Sequence, residues 1–160
     1  MFNKIHYFPL NIPAWLFRIT LNFYFPFWGA GISVSRWSPD SRSAEVRLRP
    51  RLYNRNPLGT HFGGSLYAMC DPIYVLMLMR ILGPDYLVWS QSGAILFKKP
   101  GRGVVRAVFE LSPELMESIR GATDTGEPFN QNFRIEVLDN AGEVVAEVNE
   151  VIYIRKRKQK

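Results

Sequence analysis

Asp71 stands almost alone. Between residues 51 and 109 the acids are Asp71 and Asp85, and Asp71 lies in an apolar run, Phe62 to Leu82, whose other charge is Arg80. An ionised carboxylate among apolar neighbours is costly unless it is paired, hydrogen-bonded or turned to a wet cleft. Functional sites are among the places where that cost is tolerated. Seven residues upstream lies the pair Gly63-Gly64, where the run begins. Glycine lets a ligand or another backbone come close. The free N–H groups of a first helical turn, at the positive end of the dipole, can hold an oxyanion. A carboxylate base and an oxyanion-holding helix start are two halves of an acyl-transfer site. Asp71-Pro72 equally reads as the N-cap and first residue of a new helical segment, because Pro72 has no N–H to return to the preceding turn. The two roles are not exclusive.

Other chemistry-bearing residues surround this run. Asn56 and His61 sit in the loop before it, and His61 reads either as a catalytic or substrate-binding group or as a structural histidine. Cys70 adjoins Asp71 without a histidine at useful spacing, so it reads better as a small buried apolar residue than as a nucleophile. Lys98, Lys99, Arg102 and Arg106 fall within nine residues that contain no acid, a cluster suited to phosphates or to a solvated turn. Ser90, Gln91 and Ser92 are candidates for lining a pocket, or face solvent.

The elements that must position these groups follow from periodicity. An amphipathic helix is expected from about Pro13 to Phe25, with Trp15, Leu16, Ile19 and Phe23 packed on the domain and Pro26 past its end. Ile32 and Val34, then Ala44, Val46 and Leu48, alternate with polar residues around the turn Ser38-Pro39-Asp40-Ser41, which predicts a β-hairpin. Residues 50–61 form a loop. The stretch 62–82 is apolar nearly all round and predicts one long buried helix, stopped by Gly83-Pro84. Strands are expected at 87–98 and 103–111, a short helix opened by Ser112-Pro113-Glu114, a strand through Phe133, Ile135 and Val137, and a last strand from about Glu143 to Ile154. These later strands read as a meander-like succession. One helix embedded in a curled antiparallel sheet is an α+β solution in a single domain, and its open sheet edges are the kind that dimerisation covers.

Composition excludes several functions. The chain has 160 residues, 20 Lys+Arg against 14 Asp+Glu and a formal charge of +6, which tempts one toward a polyanion partner. Five of those charges (Arg155, Lys156, Arg157, Lys158 and Lys160) lie in the last six positions, leaving +1 on residues 1–154. The basic character is read as a frayed tail, and nothing supports base readout of nucleic acid. One cysteine excludes an internal disulfide framework and a cysteine-cluster metal site, and the absence of an Asn-x-Ser/Thr acceptor agrees with an intracellular chain. The apolar stretch 5–28 is broken by Pro9, Pro13, Arg18 and Pro26, so it fits neither a spanning helix nor a signal peptide. Contact with a membrane surface is the weaker alternative to packing on the domain.

The stretch from Asn56 to Asp71 resembles the hotdog-fold acyl-CoA thioesterases of the phenylacetate-pathway type. There an Asn-x-x-Gly-x-x-His-Gly-Gly loop leads into the central helix, and a catalytic Asp follows seven residues after the last Gly. Asn56, Gly59, Gly63, Gly64 and Asp71 match without gaps, and the resemblance spans about residues 30–154. Phe62 occupies the family's His position, with His61 one residue earlier, and Pro72 follows Asp71. That Gly-Gly-Ser-Leu-Tyr-Ala-Met-x-Asp-Pro form is similar to a little-characterised thioesterase-like branch. The resemblance implies an α+β hotdog fold, a long central helix wrapped by a curled antiparallel sheet, with an extra N-terminal helix. It implies a cytoplasmic homodimer or dimer of dimers acting on an acyl-CoA or related thioester, coenzyme A entering as part of the substrate and no metal being needed. Asp71 would be general base or nucleophile, reaching the site from the second subunit. Gly63 and Gly64 would hold the oxyanion, Asn56 would position the carbonyl or water, and His61 would donate to the thioester. Lys98, Lys99, Arg102 and Arg106 would meet coenzyme A, with Ser90 and Gln91 lining the pocket. The alternatives are a non-catalytic acyl-CoA or lipid-ligand binding protein and, further off, a hotdog dehydratase, which separates its His and acid by more than His61 and Asp71 are separated.

Overall fold

The computed structural model describes residues 10–157. Six strands form one antiparallel sheet in the order β1-β2-β4-β5-β6-β3, with β1 at Ile32–Trp37, β2 Ser43–Leu48, β3 Tyr86–Phe97, β4 Val105–Glu110, β5 Phe129–Leu138 and β6 Val144–Lys156. The architecture is α+β, as the sequence predicts, but the later strands do not follow one another across the sheet. β3 lies at the far edge, paired along its length with β6, whose thirteen residues match its twelve. β4 passes over to pair with β2.

The buried run is one helical rod with a break. Helix α3 spans Gly63–Ala68 and α4 spans Ile73–Leu82. Between them Cys70 N–H bonds the Tyr67 carbonyl and Ile73 N–H bonds the Cys70 carbonyl, the tight three-residue pattern of a 3-10 turn. Pro72 has no N–H for the Ala68 carbonyl, which is why an uninterrupted helix does not form. The N-cap of α4 is Pro72 and no side chain caps it, so Asp71 does not play the capping role. Gly63–Leu82 is, by length and composition, the one helix among the described residues able to cross a membrane. Its Leu66, Met69, Ile73, Met77 and Leu78 are instead buried in the core with Val46, Ala107, Ile135, Val148 and Ile152 of the sheet.

The N-terminal segment departs from expectation. Two helices form, α1 at Ala14–Phe23 and α2 at Phe25–Ala30, and Pro26 sits in the first turn of α2, where a missing N–H costs nothing. Phe17, Leu21 and Phe27 face inward, while Trp15 and Phe23 are exposed at 63% and 81%. Both faces of α1 are apolar, so polar side chains select the docked one. The Asn22 amide donates to the Val34 carbonyl and accepts the Val34 N–H, and Arg18 donates to the Ser35 carbonyl. These bonds occupy the free edge of β1. Arg80 of α4 reaches across to the segment's start. It donates to the Leu10 and Ile12 carbonyls and to Ser41 Oγ, and its guanidinium lies 4.4 Å over the Phe17 ring.

The remaining expectations follow closely. Helix α5, Pro113–Thr123, opens on Ser112, whose Oγ accepts the Leu115 N–H at 3.1 Å. The last strand runs further than predicted, because Arg155 and Lys156 belong to it. Arg155 donates to the Gly126 carbonyl and Lys156 pairs with Asp124, so this part of the basic end is ordered structure and not a frayed tail. Lys158 and Lys160, like Pro9, lie outside the described residues.

Candidate active site

The loop between β2 and α3 is held by its own side chains. Asn56 Oδ1 accepts the N–H groups of Leu58 and Thr60 at 3.0 and 3.1 Å, and its amide donates to Thr60 Oγ1 and the His61 carbonyl. Both ends of the Asn56 amide are thus committed to closing the loop. His61 is buried, and its Nε2 lies 2.7 Å from the Gly103 carbonyl. A carbonyl only accepts, so Nε2 holds the proton and Nδ1 is a bare acceptor with no hydrogen-bond partner. Burial pushes the His61 pKa below its usual value, which keeps the imidazole neutral.

Helix α3 begins at the far side of this loop. Ser65 and Leu66 both return their N–H to the Phe62 carbonyl, leaving those of Gly63 and Gly64 without partners among the described residues. The glycines leave room for two aromatic rings. A Cβ at Gly63 would stand 2.8 Å from the Phe97 ring, and one at Gly64 would stand 2.4 Å from the Phe62 ring. Phe62 itself is 57% exposed. A cleft of about 430 Å³ collects Asn56, His61, Gly63, Phe97, Lys98 and Lys99, so loop, helix start and two of the expected cations do come together.

The rest of the basic cluster is dispersed. Lys98 lies 3.4 Å from Glu147, and Lys99 binds Asp139 at 2.7 Å as well as Glu143. Arg102 is exposed in the turn, and Arg106 stands opposite Arg47 across the β2–β4 pair. Gln91 is the extra residue of a bulge in β3, and Ser90 precedes it. None of these last four lines the cleft.

Asp71 is not among the cleft's lining residues either. It occupies the α3–α4 turn, half-buried, and accepts a hydrogen bond from the Tyr67 hydroxyl at 3.4 Å. Its surroundings contain a group that is not among the site residues expected from the sequence. On β6 the inward register reads Ala146, Val148, Glu150, Ile152, Ile154, and Glu150 is 1% exposed. Both Glu150 carboxylate oxygens lack a hydrogen-bond partner. Burial, and then the charge of Asp71, push its pKa up to about 8. The same pair marks its neighbours. Burial together with Asp71 and Glu150 pushes the Tyr67 phenol up to about 12. Burial, then Glu150 and Asp71, drive the Cys70 thiol well above its ordinary value, so Cys70 is a protonated, buried thiol and no nucleophile. The signal for Glu150 was one acid in the apolar phase of an alternating strand.

Room for this cluster comes from β3. Glu150 pairs with Gly93 there and with Phe133 on β5. A Cβ at Gly93 would fall 1.9 Å from the Tyr67 oxygen, so the missing side chain is what lets the phenol sit beside Asp71. Glu150 and Gly93 also border a cleft of about 500 Å³ with Ser92, Asn132 and Arg134.

An antiparallel sheet packed on one helical rod is the hotdog fold, which solved structures share with this chain. Within it, the chain belongs to the family described as domain of unknown function DUF4442, whose model matches residues 14–154. Among solved structures it is similar to PA5026 of Pseudomonas aeruginosa, a protein of unknown function and probable thioesterase by its description, at 18% identity over 91% of this chain and 97% of that one, with a TM-score of 0.82. It is also similar to the thioesterase HI1161 of Haemophilus influenzae, at 14% identity over 88% and 89% of the two chains, TM-score 0.64. A mutant form of the phenylacetic acid degradation protein PaaI from Thermus thermophilus matches at 23% identity over 79% and 96%, TM-score 0.55. Likeness at these identities speaks for the fold. A search of curated protein sequences gives no match.

Proposed function

We propose that the protein hydrolyses an acyl-CoA or related thioester. The observation that carries this reading is Asp71, a half-buried carboxylate with neither a capping role nor a salt bridge among the described residues, on the helical rod that begins with the unpartnered N–H groups of Gly63 and Gly64. In this reading Asp71 takes a proton from water as the hydroxide oxygen bonds to the thioester carbon. The carbonyl oxygen, now an oxyanion, is held by the N–H groups of Gly63 and Gly64. Collapse breaks the C–S bond, and the departing thiolate recovers the proton from Asp71. Direct attack by Asp71, through an anhydride that water then opens, is the variant of the same site.

Asp71 lies outside the loop cleft of its own chain, which favours a site shared between two copies. The edge of β3 is free for that pairing, and Trp89, Leu96 and Phe97 on it are exposed. A homodimer, or a dimer of dimers, would set one chain's Asp71 against the other's glycine pair. Lys98 and Arg102 are the cations best able to turn to the coenzyme A phosphates, since Lys99 is held by two carboxylates. A coenzyme A thioester as substrate goes with a cytoplasmic site of action.

A second reading, a non-catalytic acyl-CoA binder, is favoured by two observations: Phe62 at the family's histidine position and the fully committed amide of Asn56. A panel of acyl-CoA substrates assayed for free thiol separates the two. Turnover that disappears in Asp71→Ala supports the enzyme, and saturable binding without thiol release supports the binder.

A further inference from the structure

A carboxyl group 1% exposed with both oxygens unbonded needs a physical account, the more so because its strand partner Gly93 leaves the space taken by the Tyr67 hydroxyl, which itself bonds Asp71. Two ionised carboxylates in such a place repel, and no cation among the described residues pairs with either. Arg134, the cation bordering the adjoining cleft, is committed to Glu147 at 2.8 Å and to Glu136 at 3.4 Å. The titratable groups facing Glu150 are Tyr67 from α3, Cys70 and Asp71 from the turn and Tyr74 from α4. Its strand neighbours Gly93 and Phe133 bring no titratable group. Every titratable group on that list is neutral or anionic at neutral pH, so a proton is the remaining way to neutralise Glu150.

We propose that Glu150 keeps its proton at neutral pH and shares it with Asp71, the two side chains acting as one acid–carboxylate pair in which Glu150 is the positioning residue. The terminal torsion of a glutamate is broad, so the carboxyl can turn its O–H toward Asp71 without moving the strand. Tyr67 donates to Asp71 from the helix side. Asp71 would then be held between a phenol and a carboxylic acid, carrying one negative charge rather than facing a second. Loss of the shared proton removes a donor and adds a repelling charge, which displaces Asp71. The bearing of this pair on hydrolysis rests on Asp71 being the base, but the pair itself does not.

The experiment has two arms. Full-length protein labelled with 13C at glutamate carboxyls is titrated by NMR; one resonance, absent in Glu150→Gln, is expected to titrate near pH 8. Asp71→Asn is expected to shift that resonance to lower pH. A Glu150 resonance that titrates in the ordinary carboxylate range overturns the proposal, as does one indifferent to Asp71→Asn. In the second arm, wild-type kcat is expected to fall about tenfold per pH unit above about pH 8, and Glu150→Gln, which retains a donor but no titration, is expected to remove that fall. Glu150→Leu is expected to lose at least about tenfold at neutral pH, which Glu150→Gln largely restores. An alkaline fall unchanged in Glu150→Gln overturns the positioning role. Hydrolysis that survives Asp71→Asn while the NMR shift is seen overturns the catalytic assignment of Asp71 and supports the pair.

Discussion

Around the loop at residues 54–61 nearly every buried polar side-chain atom has found a partner, whereas at the junction of α3, α4 and β6 a carboxyl group has none. Asn54 bonds the Ala30 and Arg49 carbonyls and the Arg51 N–H; Asn56 makes four contacts; Lys99 holds two acids. The Glu150 carboxyl, on a residue 1% exposed, makes no hydrogen bond, and the Asp71 carboxylate makes a single long one to the Tyr67 hydroxyl. The His61 Nδ1 atom is the loop's exception. Satisfied polar groups hold a shape, and unsatisfied buried ones keep free energy in reserve for a ligand, a proton or a transition state. The two regions thus divide the labour: the loop is scaffolding around the helix start, and the carboxylates are where chemistry can happen.

That division is open to attack, beginning where the effect should be greatest. Asp71→Ala is expected to lower thioester hydrolysis by about 10²–10⁴-fold with an unchanged far-UV circular dichroism spectrum, and turnover near wild type would remove the contrast altogether. Next comes the pH dependence of stability. The folded-state pKa of Glu150 is raised above its unfolded value, so the unfolded chain sheds that proton first as pH rises. Stability is therefore fully present below about pH 4.5 and declines until about pH 8, by on the order of 1.4 kcal/mol per pH unit. Urea unfolding of wild type and Glu150→Gln across that window measures it, and the variant should show a flatter curve. Asn56→Ala should act mainly on the fold, costing about 1–3 kcal/mol in urea unfolding, with a smaller proportional loss of kcat than Asp71→Ala. Gly93→Ala forces the Tyr67 hydroxyl away from Asp71 and should cost about 1–3 kcal/mol. Lys99→Gln is expected to change least, since its ion pairs are partly exposed, with KM for a coenzyme A thioester as the readout.

Much of this was legible in the residues. The hairpin, the Ser112 helix start and the glycine pair seven residues before a lone acid all depend on local spacing, and local spacing is what a sequence displays. Pro72 announced the break in the rod, but the competing choice, Asp71 as cap, was settled only by where the turn's N–H groups point. Glu150 was missed because its meaning lies in register. A glutamate between Asn149 and Val151 looks like a wet-face residue until β6 is set between β3 and β5. The basic cluster divides for a related reason: four cations close in sequence fall on a turn and a strand, with acids from the β5–β6 hairpin pairing two of them. On α1 helical spacing points to Trp15, Leu16, Ile19 and Phe23 as the packed face, but Asn22 and Arg18 fix the helix with Phe17 and Leu21 inward and Trp15 and Phe23 exposed.

The guanidinium of Arg80 gives the rod a mechanical asymmetry. It fastens the C-terminal half of α4 to the backbone at Leu10 and Ile12, to Ser41 and to the Phe17 ring, while the other end of α4 meets α3 through a turn that lacks a proline N–H and a side-chain cap. A beam clamped at one end and hinged at the other concentrates its motion at the hinge. Bending of α4 should therefore be felt least at Arg80 and most at the Met69–Pro72 turn, where half-buried Asp71 sits beside the fully buried Met69 and Cys70.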